Sequence, residues 1–347
     1  MKIIYIPIEP YDRRYTRDWI TDFPEKFEKM NQDYETIVGE RIDTGGLNED
    51  TVLDPCGTNY YKLSQLNKVI QKIHNKEIID NDVIFFADLW FPGIESLFYI
   101  RNMLKVNFKI AGILHAGTWD KADFTCRYGM REWANNFEKS LLDGVDDIFV
   151  ATEFHNYLIL QDKGFKYQHK IHITGIPFYA KELKKKYDNK EKKNYVIFPH
   201  RIAPEKHPEM FEETEKLFKE MYPEMNVEFI NTMDRCKTSK SYFELLAESK
   251  IVVSFADQET FGYSVLEAAA LGCVPIVPNI LSYTETIRRP FRFNNLTPLN
   301  AAEIIKIYLD RYPNGVQDAC NETIQGCQQW STSIIQMVLK LKDKYGV

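Results

Sequence analysis

The sequence predicts an α/β protein made of two doubly wound, Rossmann-like lobes, each built on a parallel sheet. Three observations carry this. The chain has 347 residues, about twice the size of a common domain. Short Val/Ile/Phe-rich runs alternate with helix-length amphipathic stretches, the pattern of a parallel α/β sheet covered on both faces. A charged break, KELKKKYDNKEKK (Lys181–Lys193), interrupts that alternation with seven Lys and three acids, which reads as a solvated connector between lobes.

The elements follow in chain order. Strands are expected at Lys2–Ile8, Asp82–Ala87, Phe108–Leu114, Asp147–Ala151 and Lys170–Thr174 in the first half. Tyr195–Pro199, Asn226–Asn231, Lys250–Phe255 and Val274–Val277 continue the series in the second. Helical periodicity is clearest at Tyr60–His74, Glu132–Leu142, Pro208–Met221 and Tyr242–Ser249. Residues 1–177 are therefore read as the first lobe, 178–193 as the linker and 194–318 as the second lobe. Residues 319–347 read as one or two helices, apolar at Ile334, Ile335, Val338 and Leu341, packing back toward the first lobe.

Composition excludes several classes. With 44% hydrophobic and 14% aromatic residues the chain can bury a large core, so it is not a disordered protein. A net charge of −6 excludes a histone-like polycation while allowing a local basic strip. MKIIYIPIEP is unlike a signal peptide and no apolar run reaches the length of a membrane span, so a monomeric, cytoplasmic protein without a membrane partner is expected. The six cysteines include no Cys-x-x-Cys pair and are read as reduced thiols.

Chemistry concentrates in SFADQETFGYSVLEAAALGCVPIVPN, Ser254–Asn279. A buried strand ends in a polar loop carrying Glu259, Phe261 and Gly262, and a helix begins through Tyr263, Ser264 and Glu267. The amides of Gly262, Tyr263 and Ser264 at a helix start attract a phosphate, and Gly262 lets backbone approach it. Glu259 and Glu267, eight residues apart, each suit a sugar diol. Either one alone reads as an ordinary surface acid.

This segment resembles the Glu-x7-Glu signature of retaining glycosyltransferases of the GT-B fold, particularly glycosyltransferase family 4, at Glu259, Phe261, Gly262, Glu267, Ala268, Gly272 and Pro275. FPHRIAPEKHPE (Phe198–Glu209) is similar to the strand-then-Arg-x4-Lys element of the same enzymes, and TGIPFY (Thr174–Tyr179) to their crossing between lobes. The resemblance implies two lobes facing a cleft and a nucleotide-diphosphate sugar, a UDP-sugar first, as co-substrate, with no further cofactor. Arg201 and Lys206 would hold the diphosphate, Glu259 the sugar hydroxyls and Glu267 the ribose. Two fixed cations answer the charge that a departing diphosphate gains, and with the helix amides they imply a metal-independent mechanism. Asp80-Asn81-Asp82, the nearest thing to a metal motif, precedes its strand and reads as a turn.

The first lobe departs from the family. Its first strand leads into PIEPYDRRYT (Pro7–Thr16), where members commonly have a Gly-rich turn. Gly45-Gly46 comes too late to substitute. His115 in ILHAGTWDKAD is expected at the reacting centre, because related enzymes often have a His at that strand end. Glu9, Tyr11, Arg13, Arg14, Asp88 and Trp119 are the acceptor-side candidates. IPIEPYDRRYT and AGILHAGTWDKAD look like segments of tailed-phage glycosyltransferases, some of which modify hydroxymethylpyrimidines in double-stranded DNA. Two arginine strips, Arg13/Arg14/Arg17 and Arg288/Arg289/Arg292, suit phosphates, and Tyr11, Tyr15, Trp119 and Phe124 suit an extruded base. The alternative acceptors are a glycan, a lipid-linked sugar or a modified tRNA nucleoside; Pro199-His200-Arg201 is similar to a segment of queuosine-tRNA mannosyltransferases. A GT-B nucleotide-sugar epimerase or a non-catalytic binder is the reading from another class.

Overall fold

The computed structural model describes residues 1–12, 14–42, 54–187, 190–313 and 325–346. The chain forms two units: Met1–Ala151, His155–Ile176 and Thr332–Val347 make the first, and Thr152–Phe154 and Pro177–Ser331 the second.

The first unit is a parallel sheet of β1 (Ile3–Ile6), β2 (Tyr34–Thr36), β3 (Val83–Phe86), β4 (Lys109–Ile113), β5 (Asp147–Val150) and β6 (Ile171–Ile173), in the order β2-β1-β3-β4-β5-β6. Its helices are α1 (Trp19–Lys29), α2 (Pro55–His74), α3 (Glu95–Leu104), α4 (Phe124–Arg127), α5 (Arg131–Gly144) and α6 (Glu153–Lys163). The IIYI of β1, VIFF of β3 and DIFV of β5 are buried at every position, as strands with helices on both faces must be. Ile84, Ile110 and Ile148 from adjacent strands meet Val69, Leu97, Leu141 and Ile159 from the helices in one core.

The second unit holds α7 (Ala180–Tyr187), β7 (Lys193–Phe198), α8 (Pro208–Met221), β8 (Glu228–Asn231), α9 (Thr232–Arg235), α10 (Ser239–Glu248), β9 (Ser249–Val253), α11 (Tyr263–Ala270), β10 (Val274–Pro278), α12 (Tyr283–Thr286), β11 (Arg292–Phe293) and α13 (Pro298–Arg311). Its parallel sheet runs β11-β10-β9-β7-β8. A last helix, α14 (Ser333–Tyr345), returns to the first unit.

Capping chemistry sets helix starts that apolar periodicity alone misses. α2 begins at Pro55, five residues before the expected start, because the Asp54 carboxylate accepts from Gly57 N and Pro55 occupies the first helical position. α10 begins at Ser239 through the reciprocal Thr238/Ser241 box. β2 and β11, the two strands not expected, are short and half-buried and carry no long apolar run. The segment expected to be a charged connector folds differently. Residues 180–187 form α7 in the second unit, with Ala180 and Tyr187 buried and Tyr187 stacked 5.5 Å from Phe243. Its lysines occupy the outer face of an amphipathic helix. Asp80 and Asn81 do form a turn, with Asp80 Oδ1 accepting from Asn107 N at 2.7 Å. No helix among the described residues is long and apolar enough to cross a membrane.

α14 buries Ile334, Met337, Val338 and Leu341 and packs against α1. Its far end is fixed by Asp147, only 1% exposed, which accepts from Lys344 Nζ at 2.8 Å, His172 Nε2 at 2.7 Å and the Tyr345 hydroxyl. Burial alone would raise the Asp147 carboxyl; the bonds from His172, Lys344 and Tyr345 outweigh it and hold the carboxyl below its ordinary value. Asp147→Asn is expected to destabilise the protein by about 1.5–3 kcal/mol in urea unfolding at pH 7. The gap between variant and wild type is full above about pH 4 and closes as the pH falls further, because the wild-type carboxylate is then protonated.

Candidate functional site

In a doubly wound sheet, ligands bind beyond the carboxyl ends of the strands where the order reverses. In the second unit that point lies between β7 and β9, since β8 flanks β7 on one side and β9 the other. Phe198-Pro199-His200-Arg201 leaves β7 there, and Ser254 to Gly262 leaves β9. The two loops are joined by side chains. Lys206 Nζ donates to Glu259 Oε1 at 2.8 Å and to the Gln258 carbonyl, and Lys206 is only 6% exposed. Asp257 N donates to the Glu205 carbonyl at 2.9 Å. His207, in the left-handed region at φ 54°, is 2.7 Å from Asp257 through Nε2 and 2.7 Å from Glu209 through Nδ1; the bonds to Asp257 and Glu209 outweigh desolvation and raise its pKa.

Of the residues singled out in the sequence, Lys206 and Glu259 are therefore one ion pair, sharing a position rather than holding separate ones. Arg201 is half-buried and bonded to Glu205, four residues on. Glu205 was missed in the sequence because an acid beside Lys206 reads as surface charge. Glu267 stands one turn into α11 and accepts from Tyr242 OH at 3.1 Å. Tyr242 was also missed: nothing in the local sequence ties α10 to α11.

Gly262 stands at the start of α11 with φ 85°. The N-cap residue is glycine and has no side chain to cap the helix, so the first-turn amides face the loop end with the positive pole of the helix behind them. Phe261 is buried against Trp330 at 4.9 Å and Tyr263 at 4.8 Å, which makes it a packing residue under the loop. Tyr263 OH donates to the Pro177 carbonyl, and Ser264 Oγ lies 3.3 Å from His200 Nδ1.

In the first unit the order reverses between β1 and β3. Glu9 and Tyr11 follow β1, Asp88 follows β3 and His115 follows the adjacent β4. Glu9, 5% exposed, pairs with Arg41 at 3.1 Å. Arg14 lies over the Tyr11 ring at 4.8 Å, and burial lowers its pKa. Glu9 Oε2 and a terminal nitrogen of Arg14 are buried with no hydrogen-bond partner among the described residues, and Thr58 and Tyr61 are buried beside them. Asp88 accepts from Lys62 Nζ at 2.7 Å and from Trp90 N at 3.1 Å. Arg13 lies outside the described residues.

His115 stands at the end of β4 with both ring nitrogens engaged. Nε2 is 2.8 Å from the Ala87 carbonyl, which can only accept, so Nε2 carries the proton and Nδ1 accepts from Tyr15 OH at 3.0 Å. Burial lowers its pKa further. The ring is a neutral, doubly hydrogen-bonded group and not a base. Trp119 is 5% exposed in the core and offers no face for stacking. Arg17 is engaged by Asp18 and by Asp12 at 3.2 Å, which leaves less charge for phosphates than the arginine strip suggested.

The fold is that of the GT-B glycosyltransferases. Over 99% of both chains the protein is similar to sucrose-phosphate synthase from Thermosynechococcus elongatus, with a TM-score of 0.68 and 12% identity. It is similar over the same shares to the pneumococcal O-GlcNAc transferase GtfA in complex with UDP and GlcNAc, with a TM-score of 0.63 and 9% identity. Anabaena HepE in complex with UDP and glucose matches over 99% of this chain and 100% of its own, with a TM-score of 0.61 and 12% identity. In sequence, 133 residues are 32% identical to the tRNA-queuosine alpha-mannosyltransferase of Drosophila melanogaster, a match covering 32% of this chain and 35% of that protein. No protein-family model matches the chain.

Gly262 is the most constrained backbone position of the site. A Cβ there would lie 2.9 Å from the Tyr283 ring, at a φ that side chains resist. Gly262→Ala is expected to cost about 1–3 kcal/mol of stability, read as a lower urea midpoint at unchanged slope.

Proposed function

We propose that this protein is a retaining glycosyltransferase that moves a sugar from a nucleotide-diphosphate donor, a UDP-sugar first, to a hydroxyl on a modified base in double-stranded DNA, with a hydroxymethylpyrimidine as the preferred acceptor. The observation that carries the transfer is the Lys206–Glu259 pair at the β7/β9 switch point, beside the uncapped start of α11. The complexes of GtfA and HepE, proteins of this fold, with UDP support the donor class.

On this reading Arg201 and Lys206 draw the diphosphate, and the first amides of α11 take its remaining oxygens. Lys206 then exchanges part of its bond to Glu259 for the phosphate, and Glu259 turns its acceptor oxygens to the sugar hydroxyls. Glu267, steadied by Tyr242, takes the ribose diol. As the bond from sugar to phosphate lengthens, positive charge grows on the ring and negative charge on the diphosphate, and the two cations lower the barrier by favouring that separation. The acceptor oxygen forms its bond on the face the diphosphate leaves, and a diphosphate oxygen takes the hydroxyl proton. No protein base is required, which fits a His115 whose nitrogens are both engaged. With two cations and helix amides to neutralise the phosphates, the mechanism is metal-independent.

Buried polar atoms at Glu9, Arg14, Thr58 and Tyr61 beyond the first switch point suit an acceptor rich in hydrogen-bonding edges, as a nucleobase is. A second reading, transfer to a modified tRNA nucleoside, is favoured by the 32% identity with the queuosine mannosyltransferase. Both are retained because both present a hydroxyl on a nucleoside.

Incubation with a panel of nucleotide sugars and hydroxymethylcytosine DNA, unmodified DNA or bulk tRNA, followed by digestion and mass spectrometry, should give nucleosides heavier by one sugar in the hydroxymethylcytosine arm. A gain in the tRNA arm alone moves the assignment to the second reading, and no gain in any arm removes both. Lys206→Ala should lower turnover by about 10²–10³-fold; unchanged turnover removes its assigned role.

A further inference from the structure

The loops that leave β7 and β9 are also connected by a buried chain of hydrogen bonds that the proposed transfer does not use. Tyr283 OH lies 2.9 Å from Ser254 Oγ, and Ser254 Oγ lies 2.8 Å from His200 Nε2. On the other side of the ring, His200 Nδ1 is 3.3 Å from Ser264 Oγ and 3.6 Å from Glu259 Oε1. Tyr283 and Ser254 are fully buried and His200 is 4% exposed, so water does not serve these groups. We propose that His200, oriented by Ser254 and Tyr283, is a positioning residue for Glu259: neutral, with its Nδ1–H bonded to Ser264 Oγ, it holds a polar ring edge 3.6 Å from Glu259 Oε1 against which the carboxylate that grips the donor sugar rests. This rests on the transfer reading for the meaning of Glu259; the polarity of the chain stands apart from it.

The polarity follows from counting hydrogens. Ser254 Oγ has one to give and already accepts from Ala256 N at 3.3 Å. If the Tyr283 phenol donates to Ser254, Ser254 donates to Nε2, and Nδ1–H is left to face Ser264 and the Glu259 carboxylate. Every hydrogen then has an acceptor. Reversing the direction puts the proton on Nε2 and strands the phenol. The Tyr283 hydrogen loses its acceptor, since Ser254 is the phenol's one partner among the described residues. The Nδ1 lone pair is then left to accept from the Ser264 hydroxyl at 3.3 Å. A buried phenol without an acceptor costs more than the chain gains in that direction.

Charge keeps the ring neutral. Burial first, then the nearby Lys206 and Arg201 cations, push His200 well below its ordinary value, against the attraction of Glu259. An imidazolium here would add a third positive charge to the two that the diphosphate is expected to meet. As a neutral donor to Ser264, His200 instead leaves Lys206, at 2.8 Å, as the partner that Glu259 bonds. The Tyr283 ring also lies where a Cβ on Gly262 would fall, so the same residue supports the loop and begins the chain.

Nitrogen-15 NMR of histidine-labelled full-length protein, with His200 assigned by its loss in His200→Gln, should show one neutral Nδ1–H tautomer down to pH 6. An Nε2–H tautomer or an imidazolium at pH 6 overturns the proposal, whether or not the enzyme transfers sugar. In kinetics, His200→Gln should lower kcat by about tenfold or more. UDP affinity by calorimetry and the thermal midpoint should hold. His200→Asn, whose amide nitrogen sits where Nδ1 was, should restore most of the loss. An equal fall in UDP affinity, or no change in kcat, overturns positioning. If wild-type protein neither binds UDP nor transfers a sugar, the transfer reading fails and the tautomer measurement alone decides the chain.

Discussion

An ammonium removed from water has to be met by negative charge, and at the β7/β9 switch point that requirement organises everything nearby. Lys206 is almost fully buried, and its charge is met by Glu259 and a carbonyl on the following loop. To reach them, the loop after β9 must lie against the loop after β7, and the backbone bond from Asp257 to Glu205 and the His207 bridge hold it there. The pair is a compact store of opposite charge: a diphosphate can take the ammonium, and hydroxyls can take the carboxylate, without either charge having to be brought out of solvent.

The same logic runs through the first unit with different residues. Buried Lys163 lies 2.6 Å from Glu138, neither side chain exposed, and Lys62 lies 2.7 Å from Asp88. The second ties the loop after β3 to α2, and the first, between α5 and α6, also bonds Thr118 of the loop after β4. Sheet topology puts the loops in place, and desolvated ion pairs keep them there. The contrast is in what is left over: Glu9 Oε2 and a terminal nitrogen of Arg14 are buried with no hydrogen-bond partner among the described residues.

Much of this was legible in the sequence. The parallel α/β character could be read because β1 and β3 are unbroken apolar runs and β7 and β9 end in apolar runs, and the start of α11 because a glycine and a small polar residue sit where a strand gives way to a helix. Short strands such as β11 were not legible, since two residues carry no periodicity. α7 was hidden by its lysines: with only Ala180 and Tyr187 buried, composition outweighed pattern. At the site, residues joined by local spacing were found, whereas Tyr242, Ser254 and Tyr283 act through contacts 25 to 54 positions away and leave no local mark. His115 was located correctly at its strand end, but its chemistry depends on Tyr15, a hundred positions earlier.

Because α14 belongs to the first unit although the second unit is encoded before it, the first unit is discontinuous along the chain. A ribosome delivers β1 through β6 early but releases the helix that covers α1 and reaches Asp147 only after the whole second unit has been made. During that interval the apolar surface later hidden by Ile334, Met337 and Val338 stays uncovered on the nascent polypeptide. Completion of the earlier-made unit is thus deferred until the second unit has been translated, and a message cut short before Ser333 yields a product lacking the helix that covers α1 and its clasp on Asp147.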